Sequence, residues 1–181
     1  MGRVGAVGPA ASVCKRTLDV LGAFLVLLFF LPIGLMMIAA IRCSRGGPIF
    51  EREQTVGLGG RIFARWRLHQ PVERESVFDR VLWQAGLTDL PSAVNVIDGD
   101  MSLIGPRPHS PAQYACLSQG RPDYARRLEA RPGMIWPRAS EGEPSWSAEL
   151  DYVVRWSVLV DLKVASLYAV QGLFREEQGV D

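Results

Sequence analysis

Cysteine, histidine and lysine are all scarce in this 181-residue chain. Cys14, Cys43 and Cys116 are odd in number and far apart, with no CxxC or Cys/His pattern. That excludes a disulfide framework and a structural zinc site, and makes a reduced compartment the simplest setting for the folded part. The formal net charge is +1, so the basic stripe that marks a nucleic-acid partner is missing. The glycine-rich segment Gln54–Gly60 lacks Walker spacing and a following Lys-Ser/Thr, which argues for a hairpin turn rather than a nucleotide cradle. Internal repeats and low-complexity tracts are absent too. Lys15 and Lys163 are the only lysines, so positive charge is carried by arginine. A planar guanidinium can hold phosphate or carboxylate oxygens two at a time, although base composition accounts for much of the bias. The length suits one domain with a real core.

What is present is a long apolar run. From Val20 to Ile41 there is no charged side chain, and at 1.5 Å per residue such a run can cross a hydrocarbon core. With every face apolar, the helix is expected in lipid. Lys15 and Arg16 precede it and Arg42 and Arg45 follow, so the positive-inside rule assigns no orientation. Pro32, with Gly34 close behind, predicts a kink. Two arrangements stay open: a re-entrant hairpin entering and leaving on the cytoplasmic face, and an ordinary kinked span. A cleaved signal peptide fits less well, because the run is long, starts late and lacks a small-x-small exit. Residues 1–14 are expected to be a disordered lead-in, 15–45 a membrane-inserted helical segment, and 46–181 a cytosolic domain.

Beyond Arg45 the composition turns polar. Pro48–Phe50 and Arg61–Ala64 read as short strands around the Gly57–Gly60 turn. Val77, Phe78, Val81, Leu82 and Ala85 recur at three and four, predicting an amphipathic helix over Ser76–Ala85. A short helix is expected over Leu90–Ile97, helical structure over Tyr114–Ala130 with breaks at Gly120 and Pro122, and a stop and turn at Arg131-Pro132-Gly133. A final helical stretch runs from Ser147 to about Leu173. Its Trp146, Tyr152, Trp156 and Tyr168 suit either a membrane interface or a core.

The densest chemistry lies between Leu87 and Pro108. Asp89, Asp98 and Asp100 accompany a Gly-Asp turn and the Pro106-Arg107-Pro108 clamp, a combination able to gather acids and a guanidinium around a phosphate or a divalent cation. Asp89 reads equally as a helix cap. Asp98-Gly99 reads as a turn, with Asp100 kept as a cation ligand. Arg107, fixed between prolines, is a phosphate contact, and Arg131 before Pro132-Gly133 is a second. His69 and His109 are lone histidines expected at the surface or in the core.

The string Gly99-Asp100-Met101-Ser102-Leu103-Ile104-Gly105-Pro106-Arg107-Pro108 closely resembles the signature of the bacterial sugar transferases, the small monotopic polyprenyl-phosphate phosphoglycosyl transferases. In the same order as in that family come Lys15-Arg16 with Asp19, the apolar run with Pro32, Gly47–Phe50, Val56-Gly57 with Gly60 and Phe63, Leu90-Pro91 and Asn95-Val96. Arg131-Pro132-Gly133, Asp151-Tyr152, Trp156-Ser157 and Asp161-Leu162-Lys163 complete the series. The resemblance implies an α+β fold: a re-entrant, kinked membrane helix and a small, mainly helical cytosolic domain with a short β-hairpin and interfacial amphipathic helices. It implies a protein of the bacterial inner membrane, on its cytoplasmic face, in exopolysaccharide or glycoconjugate synthesis. A sugar phosphate would pass from a nucleotide diphosphate sugar to polyprenyl phosphate, such as undecaprenyl phosphate, through a covalent carboxylate intermediate and with Mg2+.

The family's Leu-Asp-Glu-Leu-Pro is here Leu87-Thr88-Asp89-Leu90-Pro91. Thr88 therefore stands at the nucleophile position, and Asp89 at that of the metal-binding Glu. Glu53-Gln54-Thr55 replaces a Gln-x-Arg, Arg67-Leu68-His69 a Lys-Phe-Arg, Trp83 a basic residue, and Ile135-Trp136 a Thr-Gly. Two expectations follow. In one, a divergent enzyme uses Thr88 and Asp89 as its catalytic positions, with Asp89 as nucleophile, Arg107 and Arg131 on the substrate, and Asp89, Asp100 or Glu53 on magnesium. In the other, a catalytically silent relative serves as a membrane-bound partner or regulator of polysaccharide assembly. A homo-oligomer is compatible with both.

Overall fold

The computed structural model describes residues 12–45, 48–69, 87–139 and 145–173. Ser12 starts the chain's longest element. Its hydroxyl accepts from the Lys15 backbone N–H at 3.2 Å, satisfying an orphan donor of the first turn, and helix α1 runs unbroken from Val13 to Arg45 through Pro32. Residues 13 and 14, expected in a disordered lead-in, belong to this helix; residues 1–11 lie outside the described residues.

The apolar run is apolar all round, but one face of α1 packs on the rest of the protein, where every face was expected in lipid. Lys15, Asp19, Ala23, Met37 and Ile41 are buried, with Leu27 and Ile33 partly buried between them. Steps of four, with one of six from Leu27 to Ile33, keep them on one stripe. Ala23 packs with Phe63, Ala93, Val96 and Met101, and Met37 with Leu68. The larger of these side chains, Met37, Phe63, Leu68, Val96 and Met101, each stabilise by roughly 1.5–3 kcal/mol. On the far face Leu21, Phe24, Leu25, Leu28, Phe29, Leu35 and Met36 are all more than half exposed. By length and composition α1 can cross a membrane.

Strand β1 (Phe50–Val56) pairs antiparallel with β2 (Ile62–Leu68), Glu53 opposite Arg65 and Thr55 opposite Phe63. The hairpin is longer than the sequence suggests. Its turn uses Gly59 at φ +64° and Gly60 at φ +82°, a left-handed region that glycine alone enters freely. Helix α2 (Ser92–Asp98) docks on β2 through the Ser92 hydroxyl and the Asn95 amide. Asn95 Nδ2 donates to the Ala64 carbonyl at 2.9 Å, and Asn95 Oδ1 accepts from the Trp66 N–H at 2.9 Å. A buried side chain thus takes the place of a neighbouring strand. Gly99, at φ +101°, caps α2 by donating to Asn95 and Val96, which bears out the expected Asp98-Gly99 turn.

Arg131-Pro132-Gly133, expected as a stop and turn, instead leads straight into a strand. Gly133 opens β4 (Gly133–Ile135), which lies parallel to β3 (Ser102–Ile104). A Cβ on Gly133 would sit 2.2 Å from the Gly105 nitrogen, and one on Gly105 would sit 2.3 Å from the Arg131 carbonyl oxygen. Only two glycines permit this approach. Helix α3 (Pro111–Ser118) starts in a capping box of Ser110 and Gln113, and a 3-10 stretch follows over Pro122–Glu129, with the expected breaks at Gly120 and Pro122. The last helical stretch is two elements, α4 (Ser145–Arg155) and α5 (Val158–Leu173). Between them Ser157 Oγ accepts from the Val160 N–H at 3.3 Å and caps α5. The helix expected over Ser76–Ala85, with Trp83, lies outside the described residues.

One buried polar knot ties α1 to α5 and β3. Lys15 Nζ reaches Asp19 Oδ1 at 3.0 Å, Asp161 Oδ2 at 2.9 Å and the Ile104 carbonyl at 3.0 Å. Asp19 accepts from Ser102 Oγ at 2.7 Å and the Leu103 N–H at 3.1 Å. Tyr152 lies 2.7 Å from Asp161 Oδ1, and burial, with Asp161 alongside, holds its phenol well above the usual range.

Candidate active site

Residues two apart on a strand share a face, so Arg65 and Arg67 of β2 point the same way, and Glu53 stands across from Arg65 on β1. All three line a cavity of about 500 Å3, together with Asp89, Arg107, Trp136 and Glu149. Asp89 reaches it from the 3-10 turn Leu87–Asp89. Its Oδ1 takes two guanidiniums, Arg65 Nη2 at 2.7 Å and Arg67 Nε at 2.8 Å. Glu53 Oε2 lies 3.2 Å from Arg67 Nη1 and 3.9 Å from Arg65 Nη1. Ser92 Oγ, 3.2 Å from Arg65 Nε, fixes that guanidinium from behind. Burial, with Arg67 alongside, lowers the Arg65 pKa against the pull of Asp89 and Glu53. For Arg67 burial acts in the same sense, but Asp89 and Glu53 outweigh it and raise the value. Charge-assisted hydrogen bonds of this kind are the strong ones.

A second group closes the other side. Arg127 is buried, pairs with buried Glu149 at 2.9 Å, and bonds His109 Nδ1, the Tyr124 hydroxyl and the Arg107 carbonyl. Burial, then Arg127 and Arg107, push the His109 pKa down to about 3. The ring is therefore neutral at physiological pH, and accepting at Nδ1 places its proton on Nε2. Burial raises the Glu149 pKa to about 7, outweighing the opposing pull of Arg127. Arg107 itself is exposed and stacks over Trp136 at 5.5 Å.

The sequence-predicted residues fall into three places. Asp89 and Arg107 line the cavity together, with Glu53. Thr88 is buried in the same turn and is not among the cavity's lining residues. Asp89 does not cap α2, whose N-cap position is Pro91. Arg131 and Asp100 lie outside the cavity lining. Arg131 Nε donates to the Gly99 carbonyl at 2.8 Å and borders the Lys15–Asp19 knot. Asp100 occupies the turn between α2 and β3, with its backbone N–H on Asn95. Among the described residues no three His, Cys, Asp or Glu side chains converge as a metal set. Magnesium is commonly held by one or two carboxylates plus substrate phosphates, and Glu53 with Asp89 is the pair in this cavity that fits that pattern.

Sequence reading missed Arg65, Arg127 and Glu149, and placed His109 apart from the chemistry. A signal for Arg65 existed: basic-aromatic-basic Arg65-Trp66-Arg67 in a strand presents both guanidiniums on one face. Nothing local marks Arg127 or Glu149, which meet His109 only through the fold.

A two-stranded hairpin, a long apolar helix and an arginine-carboxylate cavity beside the Pro-Arg-Pro clamp make up a small domain of mixed helix and strand. The chain belongs to the bacterial sugar transferase family, which matches residues 10–175. It is 34% identical over 181 aligned residues to the UDP-glucose:undecaprenyl-phosphate glucose-1-phosphate transferase of Caulobacter vibrioides, covering 86% of this chain and 68% of that protein. It is 28% identical to the exopolysaccharide production protein ExoY of Rhizobium meliloti, over 88% of this chain and 85% of the relative. With the UDP-glucose:undecaprenyl-phosphate glucose-1-phosphate transferase of Escherichia coli it shares 29% identity, matching 87% of this chain and 40% of that longer protein.

Proposed function

We propose that this chain transfers a sugar phosphate from a UDP-sugar, with UDP-glucose the first donor to try, to undecaprenyl phosphate at the cytoplasmic face of the bacterial inner membrane, in exopolysaccharide synthesis. The observation that carries the reading is the convergence of Asp89 with Arg65, Arg67 and Arg107 in one cavity. Three guanidiniums suit a diphosphate, and arginine binds such oxygens bidentately. Entry of the diphosphate would exchange guanidinium contacts from Asp89 to phosphate oxygens and leave the carboxylate facing the sugar-bearing phosphorus. An Asp89 oxygen then forms a bond to that phosphorus, and the bond to the bridging oxygen breaks. The bridging oxygen leaves with the nucleoside monophosphate. A phosphate oxygen of the polyprenyl phosphate next attacks the same phosphorus and returns the carboxylate. A carboxylate nucleophile in this way splits one difficult displacement into two. Magnesium, held by Asp89 and Glu53, would neutralise charge on the diphosphate.

The inner stripe of α1 supports a monotopic attachment. Ala23 and Met37, 14 positions apart and so separated by roughly 21 Å along the axis, both pack on the same domain. A bilayer cannot lie between them. The helix is therefore read as monotopic, its exposed face in the membrane and both its ends on the domain's side.

A second reading, a silent relative that serves as an assembly partner, is favoured by two observations: Thr88 is buried, and Asp89 is already engaged by two cations. The deciding assay uses purified full-length protein, a panel of UDP-sugars, polyprenyl phosphate and magnesium. Release of UMP with formation of a lipid diphosphate sugar supports transfer. Binding of UDP-sugar without turnover supports the silent reading.

A further inference from the structure

The segment Pro106-Arg107-Pro108 brings a guanidinium to the arginine cavity with few backbone groups of its own. Proline carries no N–H, so the Arg107 N–H is the segment's one backbone donor, and it donates to the Glu149 carboxylate. The Arg107 carbonyl accepts from Arg127 Nη2, and the Pro106 carbonyl accepts from the Gly133 N–H at 2.9 Å. Arg127 Nη2 also lies 2.9 Å from Glu149 Oε2, the two side chains being 5% and 4% exposed. That oxygen has no aligned hydrogen-bond donor, so its contact with Arg127 is one of charge, and the Nη2 hydrogen bond goes to the Arg107 carbonyl. One buried ion pair thus grips the peptide groups on both sides of the Arg107 Cα. Its members come from separate elements, Arg127 from the 3-10 stretch and Glu149 from α4. Pro106 and Pro108 are buried, whereas Arg107 is exposed and rests its guanidinium on Trp136.

We propose that Arg127 and Glu149 are positioning residues for the donor's diphosphate: by holding the Arg107 backbone they fix where its guanidinium meets the phosphate oxygens. The inference rests on the reading of the arginine cavity as a diphosphate site. Arg127 is not among the cavity's lining residues, so any effect it has on a ligand there passes through another group. Glu149 does line the cavity, where its charge alone would oppose an anion; what it holds accounts for its place. A purely structural role gives no reason for charges at this position, because apolar side chains can replace a buried ion pair without loss of stability. A long arginine side chain loses rotamer freedom when it binds. Fixing its backbone, with the Trp136 ring against its guanidinium, reduces that loss.

The test is a double-mutant cycle on the full-length protein in detergent, read as affinity for UDP by titration calorimetry with magnesium present. UDP carries the diphosphate and needs no turnover. Arg127→Met with Glu149→Leu removes the pair at constant net charge, and Tyr124 and His109 keep their own hydrogen bond at 3.0 Å. This pair-replaced protein should bind UDP about tenfold more weakly, the scale of one hydrogen bond to a charged group. Arg107→Ala should lose at least as much, and pair replacement on top of Arg107→Ala should cost nothing further. A role in general stability would instead lower affinity by the same factor in both backgrounds. That additive result overturns the proposal, as does wild-type affinity in the pair-replaced protein or in Arg107→Ala. Circular dichroism checks the fold. If the pair-replaced protein does not fold, Glu149→Gln, which keeps the shape and ends the ion pair, takes its place in the cycle with the same deciding outcomes. A wild type that binds no UDP is a separate failure: it removes the diphosphate reading of the cavity itself, and the positioning role with it.

Discussion

Arg65 Nη2 and Asp89 Oδ1 meet at 2.7 Å across the mouth of the arginine cavity, and Arg67 Nε meets the same oxygen at 2.8 Å. The one carboxylate in the altered Leu-Thr-Asp-Leu-Pro motif is therefore the anchor of the local cation cluster.

Asp89→Asn should abolish sugar-phosphate transfer, with a loss of three orders of magnitude or more, as expected when the group that forms a covalent bond is removed. Radiolabelled transfer from UDP-glucose to polyprenyl phosphate checks this. Turnover within tenfold of wild type would end the nucleophile assignment.

Cys14 and Cys43 are exposed and sit near opposite ends of α1. In the monotopic arrangement, single-cysteine versions bearing one or the other react with a membrane-impermeant maleimide from the same side, in inverted but not right-side-out vesicles. Labelling from opposite sides would establish a span.

Gly133→Ala forces a Cβ to 2.2 Å from the Gly105 backbone nitrogen. Backbone on both sides leaves no flexible side chain to yield. A destabilisation above about 3 kcal/mol is expected, at the upper end of overpacking penalties. Thermal unfolding in detergent would show it, and a wild-type melting curve would contradict the close approach. Gly34→Ala, where a Cβ meets nothing within 4 Å, is the control.

Lys15→Met leaves Asp19 and Asp161 buried without their shared cation. Removing one partner of a buried pair costs about 3–5 kcal/mol, and it loosens α1 from α5 and β3 together. Limited proteolysis should release the α1 segment earlier than in wild type. Unchanged protection would show that apolar packing alone holds the helix.

The pH dependence of stability should show two opposed contributions. Glu149 has a folded pKa raised from 4.5 to about 7, so the folded state binds the extra proton and stability falls as pH rises through that window. His109 has a folded pKa lowered from 6.5 to about 3, so the unfolded state binds the extra proton and stability rises with pH between those values. The two offset between 4.5 and 6.5. Glu149→Gln should unmask the His109 slope in urea denaturation series. A variant that stays flat from pH 4.5 to 6.5 would refute the pairing.

Residues 99–106 show how a signature can be legible while its work is not. The string identifies the family, and it suggests a phosphate site. In the fold its first eight positions mostly hold α1: the Met101 carbonyl takes Arg16, Ser102 and Leu103 bind Asp19, and the Ile104 carbonyl takes Lys15. Gly105 makes room for Gly133. Arg107 is the part that reaches the cavity. Asp100 and Arg131, chosen for charge and turn chemistry, stay with the scaffold, because charge alone does not say where a side chain points.

The sequence by itself determined the apolar length of α1, the glycine turns and the family, since each depends on neighbours along the chain. The tertiary structure alone decided which stripe of α1 is buried, because a helix apolar on all faces has no periodicity to reveal it. It decided the parallel pairing of β3 with β4, whose three residues each are too short to show a pattern. It also decided the meeting of Arg65, Arg67, Glu53 and Asp89, and of Arg127, His109 and Glu149. Those contacts join segments far apart in the chain, and only their packing brings the charges within hydrogen-bonding reach.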